Sequence, residues 1–338
     1  MKKLNLIDKI IYIVNVFIGL ALLFSYLLPL VSPKTIPLFA ILSLFVPFLI
    51  IINILFSIYW IVKLKKQFLL SLIILIIGWG FNSSLFKISG KNDAINKQLS
   101  IMSYNVRMFN HWKWIDNDSI VSNIFRFIKS KNPDIVVFQE YYTQEKNQLN
   151  YPFKFIKTKN NKRKIGLAIF SKYQIINEGS LDLINTNNNI IYADIVKGKD
   201  TIRVYNLHLQ SLQLNTKKEN FGEENSTKLI SRLKENFTKQ ASQTAIFTNH
   251  EKLWKGKKIV TGDFNNTSYS WVYNEIVKEK KDAFIEAGSG FGKTFDYWFP
   301  LRIDFILTDS AATINSFNTF PEEKNSDHYP ITATLHWN

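Results

Sequence analysis

The sequence predicts an α+β fold carried on a membrane anchor of three transmembrane helices. Three observations point there. The first ninety residues hold three long apolar stretches without an internal charge. The remaining 248 residues mix strand-like and helix-like periods without the strict βαβ alternation of a doubly wound sheet. Several of the strand-like runs end on Asp, Asn, Glu or His, where an α/β or α+β fold places hard-metal ligands and phosphate contacts. The expected division is an anchor over residues 1–90 and a catalytic domain over 91–338.

In the anchor, Ile10–Val31, Ile36–Val62 and Phe68–Phe86 each reach or approach the ~20 residues needed to cross a hydrocarbon core. They are apolar on all sides, unlike a buried helix of a soluble protein, which keeps a polar face. A cleaved signal peptide accounts only for the first, and no small-residue cleavage pattern follows it. Lys2, Lys3 and Lys9 precede the first stretch and Lys63, Lys65 and Lys66 fill the second connection, whereas the first connection has Lys34 alone. The positive-inside rule then leaves the N-terminus in the cytoplasm. Three crossings put the rest of the chain outside, in a bacterium beyond the inner membrane. Lys87, Lys91 and Lys97, just past the third stretch, pull the other way.

Of the formal net charge of +15, the anchor holds eight Lys against Asp8. The soluble part is therefore only mildly basic, which favours a polyanion or an anionic surface without supplying a nucleic-acid binder's basic tract. No cysteine occurs, which excludes disulfides, thiolate metal sites and cysteine nucleophiles.

Along the soluble part, Leu99–Val106 alternates as a strand does. Ser119–Lys129 has helical spacing with Ser119 as its cap. Asp134–Phe138, Gly166–Phe170, Ile190–Val196 and Thr201–Leu209 read as strands, the last two joined by a turn at Lys197-Gly198-Lys199-Asp200. A long helix is expected near Thr227–Asn249, a strand at Lys258–Thr261 and a helix at Ser270–Lys278. Strands at Arg302–Leu307 and Ile331–Trp337 close the domain.

With a strand period of two, Ser103 and Asn105 share a face, Glu140 follows Val136 and Phe138, and His208 follows Val204 and Asn206. Asp263 and Asn265 point the same way across Phe264, and Asp304 lies within an apolar strand between Ile303 and Phe305. Each alone is an ordinary loop or core residue; together they form a pattern of polar groups at strand exits.

Asn105 in Ser-Tyr-Asn-Val, Gln139-Glu140, Asn206-Leu207-His208-Leu209, Gly262-Asp263-Phe264-Asn265, Arg302-Ile303-Asp304-Phe305 and Ser326-Asp327-His328 resemble, in this order, the signature of the endonuclease/exonuclease/phosphatase superfamily. The resemblance covers about residues 98–338. It implies a four-layer sandwich of two mixed sheets with helices outside, and a Mg²⁺-dependent phosphoric ester hydrolase, with Mn²⁺ the alternative ion. It also implies roles. Glu140 is the main metal ligand, with Asn105 and Asp327 beside it. Asp263 orients or deprotonates the attacking water, which Asn265 helps to hold. His328, oriented by Asp304, offsets the charge developing on phosphorus, and His208 contacts the phosphate from the opposite sheet. A histidine at position 208, where abasic-site nucleases have tyrosine, resembles the deoxyribonuclease or sphingomyelinase type.

The substrate is then a phosphate ester, first a nucleic acid, alternatively a phospholipid. A third reading is an inactive membrane-anchored binding domain, against which the intact residue set weighs. The basic run Lys154, Lys157, Lys159, Lys162, Arg163 and Lys164 suits a phosphate backbone or lipid head groups, or is a solvated hairpin. Trp112, Trp114, Tyr297 and Trp298 are candidate rim aromatics. No protein partner is inferred.

Overall fold

The computed structural model describes residues 4–91, 98–159, 164–213 and 223–337. Lys2, Lys3, Lys97, Lys162 and Arg163 of the charge patterns above lie outside the described residues.

The N-terminal helices are α1 (Leu6–Ser25), α2 (Pro37–Ser43), α3 (Val46–Val62), α4 (Phe68–Ile77) and the short α5 (Trp79–Asn82). Asn5 caps α1 by accepting the Asp8 N–H at 2.7 Å. The expected three spans are corrected here. Among the described residues one helix, running on through a 3₁₀ turn as Leu6–Leu30, is long and apolar enough to cross a membrane. The second stretch is two helices bent by 48° and counts only if the pair is one span. Pro47 causes the break, because it has no N–H to donate to the Ser43 carbonyl one turn earlier. The third stretch yields a helix of ten residues that ends at Gly78.

These helices pack polar side inward. Asn15 donates to Ser71 at 2.7 Å, Ser71 to Asn53 at 2.9 Å, and Trp60 to Asn15 at 2.9 Å. All four are fully buried, while Ile10, Phe17, Leu20, Leu55, Ile58 and Ile73 face outward. At one end Asp8 meets Tyr59 and Lys63. At the other, Tyr26 of the first helix's end donates to the Ile74 carbonyl of α4.

The remaining chain runs β1 (Leu99–Asn105), α6 (Ile120–Lys131), β2 (Ile135–Tyr142), β3 (Phe153–Thr158), β4 (Ile165–Ser171), β5 (Ile175–Ser180), β6 (Asn189–Lys197), β7 (Asp200–His208), α7 (Glu223–Glu251), β8 (Lys257–Asp263), α8 (Trp271–Val277), β9 (Lys280–Asp282), α9 (Ala283–Ala287), β10 (Asp304–Asp309), β11 (Thr313–Thr319) and β12 (Ile331–His336). Two six-stranded mixed sheets result, ordered β11-β12-β1-β2-β4-β3 and β5-β6-β7-β8-β10-β9. Ile101, Val137 and Ile169 of the first meet Ile191, Val204 and Ile306 of the second in a dry interface. The outer face of the first sheet is covered by Ile124, Phe125 and Ile128 of α6. The outer face of the second is covered by Phe247 of α7 and Val272 and Ile276 of α8. The α+β sandwich expected from the sequence is what forms.

Local differences have physical causes. Ser119 occupies the N-cap position of α6 but its side chain makes no capping bond. Of the basic segment before Gly166, Lys154 and Lys157 lie on β3, which pairs antiparallel with β4 as the arm of a hairpin. Asp304 opens β10 instead of lying within it.

Candidate active site

The polar residues collect where corresponding ends of the two sheets meet. In the second sheet, β7 pairs with β8 in parallel, placing His208 opposite Asp263, and β8 pairs with β10, placing Asp263 opposite Asp304. His208, Asp263 and Asp304 therefore form one row across three neighbouring strands. Gly262 permits this close pairing: its φ is +130°, and a Cβ there would stand 2.1 Å from the Leu207 carbonyl oxygen.

In the first sheet Asn105 is opposite Gln139 on parallel β1 and β2. Simple alternation puts Glu140 on the Val136 and Phe138 face, toward α6. That expectation is corrected by a bulge between Phe138 and Tyr141, with Glu140 at φ +52°. Such an irregularity re-aims one side chain without ending the strand. Gln139, fully buried, ties the sheets together by donating to Asn206 of β7 at 2.7 Å, and also donates to Ser103 of neighbouring β1 at 3.2 Å.

Asp327 and His328 lie in the loop before β12. The Ser326 hydroxyl donates to the Asn105 carbonyl at 2.8 Å, fixing this loop to the end of β1. Thr294 accepts the N–H groups of Ile303 and Asp304, and its own carbonyl accepts the Tyr329 N–H.

The eight expected site residues divide into two groups. His328 Nδ1 is 3.0 Å from Asp304 Oδ2, and its Nε2 is 3.7 Å from Asp263 Oδ2. Asn265 donates to Asp263 Oδ2 at 3.2 Å and to the Leu209 carbonyl at 3.0 Å, while Asp263 Oδ1 accepts the Asn265 N–H. His208 Nε2 is 3.7 Å from Asp263 and 3.9 Å from Glu140. The second group is Glu140, Asn105 and Asp327. Asn105 bridges the groups, donating to Asp263 Oδ2 at 3.1 Å and accepting the Arg107 N–H.

Electrostatics separate the two histidines. Burial pushes His208 down to about 3, helped by the charge of His328, so it is neutral at pH 7. Burial also disfavours a charged His328, but the carboxylates of Asp304 and Asp263 outweigh it and push that imidazole up to about 10. Asp263 is pushed up to about 7 by burial and by the charge of Asp304, against the opposing charge of His328. Glu140 is also raised, by burial and then by the charge of Asp327.

Asp263, Asp304 and His328 each bring a ligand-capable atom within 4.8 Å of the others, a spacing a metal ion could bridge. Their protonation argues for a different use, since an imidazolium has no free lone pair to give a cation. Glu140, Asp327 and the Asn105 amide oxygen are the better all-oxygen set, which suits a hard cation.

Arg107 was not legible as a site residue. Its Nη1 is 3.2 Å from Asp327 Oδ2, and its guanidinium stacks 4.4 Å above Trp114. Arg107, Met108, Phe109 and Asn110 all have positive φ, a run no periodicity reveals. Its position two residues after Asn105, beside an acidic set, was the available signal.

A cleft of about 670 Å³ leads from Glu140 and His208 between β3, the 185–189 segment and Lys239 of α7. Lys157 pairs with Asp182 at 3.4 Å, and Lys159 donates to the carbonyls of Leu183 and Thr186. Lys157 and Lys159 of the basic run thus build a wall of the cleft. Of the candidate rim aromatics, Trp112 is exposed and Trp298 packs on Phe48 of the N-terminal helices.

Two sheets face to face, with an Asp-His-Asp array at their shared end, define a phosphoric ester hydrolase. The profile of the Endonuclease/Exonuclease/phosphatase family matches residues 102–328, and the chain belongs to that family. A second profile, described as a domain of unknown function (DUF8431), matches residues 8–85. Solved structures share the fold. The human Nocturnin catalytic domain with bound sulfate anion has a TM-score of 0.54 at 16% identity, covering 73% of this chain and 97% of its own. A family protein from Bacteroides vulgatus has a TM-score of 0.53 at 19% identity, covering 72% and 100%. D. rerio TDP2 complexed with single strand DNA product has a TM-score of 0.52 at 16% identity, covering 71% and 100%. No curated protein matches the sequence. The family is generally dependent on a divalent metal, and the carboxylates of Glu140 and Asp327 suit one.

Proposed function

We propose that this hydrolase cleaves phosphodiesters, with nucleic acid as its first substrate class, and that it works on a membrane anchor formed by residues 1–90, with residues 91–338 as its catalytic domain. The observation that carries the reaction is His328 held between Asp304 and Asp263, with Asp263 in turn 3.7 Å from cleft-lining His208. Asp263, whose carboxyl holds a proton more readily than usual, takes the proton of an attacking water that Asn265 helps to fix. His328, kept charged by Asp304, faces the charge that develops on the phosphoryl oxygens. Neutral His208 donates a hydrogen bond to the same group from across the site. Glu140, Asn105 and Asp327 would hold a divalent cation, Mg²⁺ or Mn²⁺; when bound, it supplies positive charge to the phosphate.

The cleft, with Lys157, Lys159 and Lys239 among its lining residues, favours an extended polyanion, and the DNA product in D. rerio TDP2 and the sulfate in human Nocturnin support a phosphate-binding reading. A phospholipid is the second reading. It is favoured by Leu212, which stands between cleft-lining Ser211 and Gln213 and packs with Ala40 and Ile41 of α2. The membrane reading is supported by the long Leu6–Leu30 helix and by the outward apolar and inward polar packing of the bundle. The lysine-rich end at Lys63 lies away from the catalytic domain, which supports an extracytoplasmic hydrolase under the positive-inside rule.

The test is full-length protein in detergent, assayed with single-stranded DNA, RNA and phospholipid vesicles in Mg²⁺, in Mn²⁺ and in EDTA. Cleavage of DNA or RNA that stops in EDTA is expected. Glu140→Gln keeps shape and loses charge, so turnover at limiting Mg²⁺ should fall by ~10²-fold or more. Wild-type turnover of that variant at limiting Mg²⁺ would overturn the metal-site assignment, and cleavage of vesicles alone would overturn the nucleic-acid reading.

A further inference from the structure

We propose that Tyr269 is a positioning residue: seated inside the N-terminal helix bundle, it holds the Asn265 loop in its working conformation. The bundle then shapes the hydrolytic site in addition to tethering it. This rests on the reading of Asp263 and Asn265 as hydrolytic residues.

The segment in question joins β8 to α8, residues 264–270. It begins at Asn265 with φ +50°, the left-handed region that Asn enters more readily than other side-chain-bearing residues. Gln240 of α7, fully buried, supplies one hold. Its Nε2 donates to the Asn265 carbonyl at 3.1 Å and the Gln210 carbonyl at 2.7 Å, and its Oε1 accepts from Asn266 Nδ2 at 2.8 Å. At the far end, Ser270 caps α8 by accepting the Tyr273 N–H.

Between these holds, the chain leaves its own domain. Tyr269 is 2% exposed and belongs to one apolar cluster with Leu22, Leu28, Val46, Ile50, Ile74 and Leu85, all from the N-terminal region. Its ring meets Phe81 edge-on with centroids 4.9 Å apart. The ring makes the contact: the hydroxyl lies near Ser84 and Ser268 without a well-formed hydrogen bond. Next to it the Ser268 and Ser84 hydroxyls are 3.1 Å apart, and Asn274 of α8 donates to the Pro29 carbonyl at 3.3 Å. Packed interiors are dense and shift as units. A ring fixed in the bundle four residues from Asn265 therefore sets how far that loop can move.

Small displacements matter at such a site, where ~1 Å of misplacement costs about 10²-fold in rate. A residue that merely glued two domains together would change the folded fraction and leave turnover of the folded protein alone. A positioning residue changes kcat.

The test uses the full chain in detergent with Mg²⁺ and bis(p-nitrophenyl) phosphate, thermal unfolding being followed in parallel. For Tyr269→Ala, kcat should fall by ~10-fold or more with little change in KM, and Tyr269→Phe should restore it. Asn265→Ala should fall further, and the Tyr269→Ala, Asn265→Ala pair should be no slower than Asn265→Ala alone. If Asn265→Ala keeps wild-type turnover, the hydrolytic reading of Asn265 fails. If Asn265→Ala is slow but Tyr269→Ala turns over normally, or the two losses multiply, the positioning proposal alone fails. Should Tyr269→Ala not fold, Phe81→Leu loosens the same contact from the bundle side, and an unchanged kcat there overturns the proposal.

Discussion

His328 keeps its proton against burial because carboxylates face both of its ring nitrogens. Asp304 is the closer partner, itself buried to 2% exposure, where an unpaired charge is costly. Asp304→Asn keeps the hydrogen bond and removes the charge, so turnover should drop by ~10²–10³-fold. Because the two act as a unit, Asp304→Asn with His328→Ala should be little worse than His328→Ala, measured as kcat on one phosphodiester. Full additivity would separate them. The same pair predicts a pH dependence of stability. A folded pKa raised from 6.5 to about 10 contributes stability that is fully present below ~6.5 and lost as pH rises through about 10. In EDTA the Tm of the wild type should therefore fall between pH 7 and 10, and Asp304→Asn should flatten that fall. Asn105, His208, Asp263 and Asn265 could be named because each ends or follows an apolar strand, whereas Asp304 opens β10 and Asp327 and His328 precede β12, so those three rested on the order of the motifs. Glu140 was named from simple alternation, but a bulge rather than alternation aims it.

Elements were legible where a hydrophobic period recurs. β1, β6, β7 and α6 lie within a residue or two of their expected bounds because Ile101, Ile191, Val204 and Ile124 each mark a buried face. β5, β9 and β11 were missed: Ile176, Asn177 and Glu178 are exposed on an edge strand, β9 is three residues long, and β11 is an edge strand broken by a register shift between Ile314 and Ser316. β3 was hidden for a related reason. It is an edge strand rich in Lys, and only its pairing with β4 gives it away. That pairing depends on Gly166, where a Cβ would stand 2.1 Å from the Lys157 carbonyl oxygen. Gly166→Ala should push the end of β3 off β4 and displace the Lys157 and Lys159 wall of the cleft. The expected result is a raised KM for single-stranded DNA with a smaller change in kcat, since Asp304 opens β10 and His328 lies in the loop before β12, both outside this pair. An unchanged KM would show that this wall does not touch substrate.

At the scale of the whole molecule, two opposite packing rules meet in one chain. The sandwich buries Ile, Val and Leu between its sheets. The N-terminal helices bury Asn15, Asn53 and Ser71 and turn Leu, Ile and Phe outward. Water rewards the first arrangement and hydrocarbon the second, where interior polar groups satisfy one another because lipid offers no partner. The apolar stretches were legible from composition, but the break at Pro47 and the short α4 depend on local backbone chemistry that a hydropathy window averages away. The bundle also fixes a direction. Asp8, Tyr59 and Lys63 gather at one end, while Pro29, Pro33 and Phe48 meet the catalytic domain at the other. Lys66 and Lys199 should therefore lie on opposite sides of a membrane. The chain has no cysteine, so single replacements report cleanly. In intact cells an impermeant maleimide should label Lys199→Cys, which sits in the exposed turn between β6 and β7, and should reach Lys66→Cys only after lysis. The reverse pattern would place the hydrolase in the cytoplasm, and equal labelling of both in intact cells would show that no membrane separates them.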